Sequence, residues 1–207
     1  MRHALAWIHA FLAGQEGALI RRILVESKAG LSTTQVVCDA SPWGLGAVLV
    51  RNDEIVSWLA VALVQTDLDV LGIERGDCRG QAVVEALCIA VALRTWAPDW
   101  RDEPTVLMAR SDAMAALGAI NKTSSPNPAM NRVVREVALD LSEGSYELDI
   151  LGHIPAVWNT VTDALSRLEA PPPDTHEVPG ILANVPRAHP APRTLQWWRT
   201  VAAPRGQ

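Results

Sequence analysis

Positive charge is what this sequence is short of. Eighteen Lys and Arg stand against 23 Asp and Glu in 207 residues, a formal net charge of −5. No global basic field therefore advertises a nucleic-acid partner. The deficit weakens such a partnership without excluding it, because a cluster of acids can engage phosphates through metal ions rather than lysines. Cysteine is scarce as well. Cys38, Cys78 and Cys88 are odd in number and lack metal-ligand spacing, which points to reduced thiols, an intracellular setting, mostly core positions and no zinc site. No apolar run reaches the roughly 18 residues that cross a bilayer, so a membrane is not an expected partner. Met1-Arg2-His3 and the apolar residues after them faintly imitate a secretory leader, but His9 interrupts the apolar centre. What the chain has in plenty is hydrophobic residues, 49% of the total, ample for one domain plus attachments.

Residues 4–28 place Leu5, Ile8, Leu12, Leu19 and Ile23 at helical spacing, predicting one or two helices. Their stripe of Trp7, Ile8, Phe11 and Leu12 is expected to pack into a core. The β-branched run 35–40 predicts a strand that delivers Asp39 at its C-terminal end, and Ser41-Pro42-Trp43-Gly44 turns the chain. A second strand over 46–51, a hairpin turn at Asn52-Asp53 and a third strand over 55–61 follow. Residues 65–80, with Asp67, Asp69, Glu74 and Asp77, are expected to form a solvated acidic loop. From 80 to 97, Val84, Leu87, Cys88, Val91 and Ala92 mark the strongest helix, and Glu85 rises from its apolar stripe. A strand over 105–109 leads through Ser111 and Asp112 into a helix reaching Ile120. Another helix over 129–142 and a strand over 146–151 lead to His153. Asn159 is suited to cap a last helix that carries Asp163 one turn later and runs to Leu168. Residues 171–207 hold eight of the fourteen prolines and the Trp197-Trp198 pair, an extended tail that is docked or disordered.

That order suits a mixed sheet, with three antiparallel strands followed by two joined in parallel through crossovers. Ligands bind such sheets at the carboxyl ends of the strands where the order switches. Asp39 and Asp112 end the two expected central neighbours, and Glu85 and Asp163 come from helices beside that edge. Each has an ordinary alternative: turn former for Asp39, helix cap for Ser111 or Asp112, surface acid for Asp163. If the four converge, two like charges about 4 Å apart repel by roughly 4 kcal/mol at an effective dielectric near 20. They would not stay ionised together without cations. Hard oxygen ligands of this kind suit Mg²⁺ or Mn²⁺, and two such ions can clamp the attacking and leaving oxygens of a phosphoryl displacement.

Four phrases then carry a resemblance: Asp-Ala-Ser-Pro-Trp-Gly-Leu-Gly-Ala-Val-Leu from Asp39, Glu-Ala-Leu-Cys-Ile-Ala-Val-Ala-Leu-Arg-Thr-Trp from Glu85, Ser-Asp-Ala-Met-Ala-Ala-Leu-Gly-Ala-Ile-Asn-Lys from Ser111, and His-Ile-Pro-Ala-Val-Trp-Asn-Thr-Val-Thr-Asp-Ala-Leu-Ser-Arg from His153. Over residues 35–168 the chain resembles the type 1 ribonuclease H domain of retroelement reverse transcriptases, of the gypsy or tyrosine-recombinase kind. The resemblance implies a ribonuclease H-like α/β fold over 35–170, with residues 1–34 a helical connection and 171–207 a tail. It implies two Mg²⁺ or Mn²⁺ ions. Asp39 would contact both, Glu85 and Asp112 would complete one site, and Asp163 the other. His153 would assist proton transfer or product departure. Asn159 would lie near the scissile phosphate, and Ser41 and Gly44 would contact substrate. The substrate implied is the RNA strand of an RNA–DNA hybrid, sensed through 2′-hydroxyls across a minor groove. A polymerase domain is the implied partner.

Some features depart from that family. No Tyr-x-Asp-Asp polymerase motif is present, and the loop after Ile120 has a single lysine, Lys122, where some relatives insert a basic helix. Ala156 and Thr162 stand where the family phrase has Gly and Ala. A competing expectation is a catalytically idle module of the same fold that binds partners or tethers a polymerase, favoured by the acidic charge and by tail tryptophans taken as exposed. A different nuclease or integrase on this fold is disfavoured by His153.

Overall fold

The computed structural model describes residues 2–14, 34–100, 105–144, 146–151, 154 and 156–201. The strands are β1 (Thr34–Ala40), β2 (Gly44–Arg51), β3 (Glu54–Ala62), β4 (Thr105–Arg110) and β5 (Tyr146–Leu151). They form one sheet in the order β3-β2-β1-β4-β5. β1 pairs antiparallel with β2 and parallel with β4, β2 pairs antiparallel with β3, and β4 pairs parallel with β5. This is the mixed ribonuclease H-like sheet that the sequence predicts. The β2–β3 turn is made by Asn52 and Asp53, both at positive φ, as a two-residue hairpin with the strands' own twist requires.

The helices are α1 (Arg2–Gly14), α2 (Gln65–Leu71), α3 (Gln81–Thr95), α4 (Met114–Lys122), α5 (Pro128–Glu143) and α6 (Ala156–Ser166). β1 is central because both of its faces are apolar. Side chains alternate across a strand, so Val36 and Cys38 join the core under α3 and α5 while Val37 joins the core under α6. Asp39 has the parity of Val37 and therefore faces α6. Two glycines let that helix lie close on the sheet. A Cβ on Gly46 would sit 2.5 Å from the Ser166 amide and the Thr162 carbonyl, and one on Gly44 would sit 2.9 Å from the Ser166 carbonyl. Ser41 closes the same junction from the β1–β2 turn: its hydroxyl donates to the Ser166 carbonyl at 2.7 Å and accepts from the amides of Trp43 and Gly44.

Four expectations are corrected. Residues 65–71 are helix, not solvated loop. Asp67 accepts from the Val64 amide as an N-terminal cap and is fully buried, with Leu68, Val70 and Leu71 turned inward. Asn159 lies inside α6 rather than at its cap, because the helix begins at Ala156 and Trp158 and Val161 already bury. In α1, Leu5, Ile8 and Leu12 are exposed rather than in a core, while Phe11 of the same stripe is half-buried; the predicted continuation from 15 to 33 lies outside the described residues. The tail tryptophans are not exposed. Trp197 and Trp198 are buried in the main core, and Trp58 of β3 bonds Pro186 and Ala188 through its backbone and Val185 through its indole. Between the open alternatives for the tail, its described part is docked. Among the described residues, no helix is long and apolar enough to cross a membrane.

Candidate metal centre

Three of the four sequence-predicted acids meet at the carboxyl end of β1. Asp39 arrives on β1, Glu85 on the second turn of α3, and Asp112 two residues past β4. Each offers a carboxylate oxygen, and these oxygens lie within 4.8 Å of one another. Asp39 is 7% exposed and Glu85 3%, while Asp112 opens to solvent. Glu85 reaches this point because Cys88, Ile89 and Ala92 on its own stripe are fully buried, which drives α3 onto the sheet. Asp112 caps nothing with its side chain. The local turn is tied instead by the Ser111 hydroxyl, which accepts from the Ala113 amide at 3.1 Å.

The electrostatics follow from burial. Desolvation disfavours a carboxylate's charge. It lifts the Asp39 carboxyl to about 7, aided by Asp163 and Asp112, against a hydrogen bond from Ser166 and the charge of Arg167. Glu85 is lifted to about 8, first by burial and then by Asp39, against hydrogen bonds from Gln81 and the Ala40 backbone. Gln81 Nε2 donates to Glu85 at 2.9 Å and also to the Ala40 carbonyl, and the Ser111 hydroxyl is 3.4 Å from the other Glu85 oxygen. Asp39 Oδ2 is buried with no hydrogen-bond partner. Among the described residues, no arginine or lysine forms an ion pair with Asp39, Glu85 or Asp112. Uncompensated buried carboxylates of this kind are costly, and a divalent cation with hard oxygen ligands meets the deficit. The donor set therefore fits a single Mg²⁺- or Mn²⁺-type ion.

Asp163 stands beside this triad, close enough to raise Asp39, but outside the group of three. Its Oδ1 accepts from Arg167 Nε at 2.7 Å. Asn159, one turn earlier on α6, is half-buried and its Oδ1 has no partner. Ser41 and Gly44 are buried, and their observed contacts are the internal ones that seat α6. His153 lies outside the described residues. Sequence reading missed Gln81, Ser166 and Arg167. Gln81 and Arg167 had a legible signal, since each stands four positions along a helix from an acid of the set.

Comparison with protein-family models finds no match, and comparison with curated proteins finds none either.

Proposed function

We infer that this chain is a metal-dependent nuclease of the ribonuclease H type, acting on the RNA strand of RNA–DNA hybrids alongside a reverse-transcriptase polymerase domain. The observation that carries the reading is the buried acid triad with an unpartnered Asp39 oxygen, at the switch point of a ribonuclease H-like sheet. The phrases quoted from the sequence supply the substrate class. Asp39, Glu85 and Asp112 would hold one ion and Asp39 with Asp163 a second. Ions bound there supply Lewis acidity toward a phosphate and a more acidic water. The chain's own groups set up that chemistry. Gln81 and Ser111 hold Glu85 in place, and the protons that burial keeps on Asp39 and Glu85 near neutrality leave as a cation arrives.

Asn159, half-buried one turn before Asp163 on α6 with its Oδ1 unpartnered, would meet a phosphate oxygen, and His153 would move a proton or help product leave. With a net charge of −5 the isolated chain is expected to grip hybrid weakly, so a basic partner would supply much of the affinity. The idle-module alternative drew on exposed tail tryptophans, and those are buried. The test is cleavage of an end-labelled RNA–DNA hybrid with Mg²⁺, with Mn²⁺ and with chelator. Cutting of the RNA strand that needs metal and is lost in Asp112→Asn supports the reading. No cutting under any of these conditions, with or without a basic partner protein, overturns it.

A further inference from the structure

One cation already sits at the acid site, and it belongs to the protein. Arg167 lies one turn past Asp163, donates to it at 2.7 Å, and acts on Asp39 as well, lowering that carboxyl while Asp163 raises it. Asp174, at the start of the tail, is the third acid that faces Arg167. The guanidinium therefore pairs with Asp163 beside Asp39, whereas the triad itself has no ion-paired counter-charge. Asp39 itself is more than nine-tenths buried, with Oδ2 unpartnered, so one of its oxygens is free to take a ligand.

We propose that Arg167 is a positioning residue that occupies the Asp39–Asp163 side of the site as a resident counter-cation, so that two divalent ions bind with unequal affinity. The tight ion takes Asp39, Glu85 and Asp112. The weak one takes Asp39 and Asp163 only after the guanidinium swings away. This rests on the metal-site reading given above. The swing is feasible because the pair is partly open: Arg167 is 35% exposed and Asp163 39%. Ion pairs of that exposure are worth little, so a divalent ion can displace the arginine yet must overcome it each time. The cost falls on the second ion alone. The arrangement also keeps Asp163 in place and the site partly neutralised when no metal is bound.

The experiment titrates Mn²⁺ alone into the full chain, following bound ion by electron paramagnetic resonance and calorimetry, with Arg167→Gln, Arg167→Lys, Asp163→Asn and Asp112→Asn beside the parent. The parent binds one ion tightly and one weakly. Arg167→Gln tightens the weak ion about fivefold, the upper end for a pair this exposed, and leaves the tight ion unchanged. Arg167→Lys keeps the charge and stays near the parent, and Asp163→Asn loses the weak ion only. Unchanged or weakened second-ion binding in Arg167→Gln overturns the proposal. If Asp112→Asn still loses the tight ion in that case, the metal-site reading survives it. If neither the parent nor any variant binds Mn²⁺, both fail together. Should Arg167→Gln not fold, an equal second affinity in Arg167→Lys and a variant with Arg167→Met would decide against it.

Discussion

Two regions of this molecule bury acidic side chains, and they treat them in opposite ways. Under the tail, every buried acid has an arginine or a set of donors. Asp67 accepts from Arg193 Nε at 2.8 Å. Glu136, fully buried, accepts from Arg94 at 2.7 Å and from the backbone of Arg199 and Thr200 and the Thr200 hydroxyl. Asp140 is pushed up only to about 6 by burial, because Arg94 pulls it back. At the end of β1, Asp39 and Glu85 form no ion pair of their own, Arg167 acting on Asp39 only while paired to Asp163, and they reach about 7 and about 8. A fold that can place arginines so consistently on one side leaves them off three converging carboxylates on the other. Buried charge that is compensated is architecture; buried charge that is left open is a place for something else.

The largest effect separates the two regions by activity. Asp112→Asn removes a charged ligand from the open site, and loss of a metal-holding acid is expected to cut hybrid cleavage by about a thousandfold or more in both Mg²⁺ and Mn²⁺. His153→Ala is expected to retain slow, metal-dependent cutting, because proton transfer contributes about 10² to 10⁴. Single-turnover assays on both variants check this. Equal cleavage by Asp112→Asn and parent would remove the contrast.

Next in size is stability under the tail. Arg193→Ala leaves Asp67 buried with only the Val64 amide as donor and is expected to cost about 3–5 kcal/mol, the range for breaking a buried pair from one side. The measure is the denaturation midpoint. Asp39→Asn should do the reverse in chelator, raising the midpoint, because it deletes a charge that has no partner. If both variants destabilise alike, the acids at β1 are architectural too.

Mg²⁺ is a smaller lever. Binding to the folded state alone stabilises by about 2.7 kcal/mol at a hundredfold excess over the dissociation constant. The parent should show a rise in melting midpoint of that origin, Asp112→Asn little or none, and Arg193→Ala the full rise on a lower baseline. An unmoved parent midpoint at millimolar metal would mean the three acids do not act as one site.

How much of this was legible beforehand follows from where the information lies. The five strands announce themselves locally, through β-branched runs and the Asn52-Asp53 turn, and strand ends with acids point to one edge once the topology is inferred. Glu85 was legible because an acid amid Cys88, Ile89 and Ala92 has no ordinary place in a helix. The tail was not. Its hold on β3 runs through backbone groups at Pro186 and Ala188, and its ion pair joins Arg193 to Asp67, 126 positions earlier. Proline-rich sequence carries no period that reports such docking. For the same reason Asp67 looked like a loop acid: its partner is invisible from its neighbours. Asn159 misled because its type favours caps, while the burial of Trp158 and Val161 decides where α6 starts.

The last effect is in the pH dependence of metal-free stability. Asp39 and Glu85 have folded-state values of about 7 and about 8, above their ordinary 3.8 and 4.5. Between about 4 and 8 the folded chain therefore holds protons that the unfolded chain has released. Stability then falls as pH rises, since its slope follows the protons bound unfolded minus those bound folded, here negative. The contribution is fully present below the unfolded values and is gone once pH passes the folded ones. Other titrating groups share this window, so the useful quantity is the difference between parent and Asp39→Asn in chelator. That difference should widen in the variant's favour from pH 4 to about 7 and then level. Saturating Mg²⁺ should reverse it, because a bound cation stabilises the ionised carboxylates and the parent alone can use it fully. A parent–variant gap that stays flat across the window, with and without Mg²⁺, would place Asp39 among the compensated acids and dissolve the distinction between the two regions.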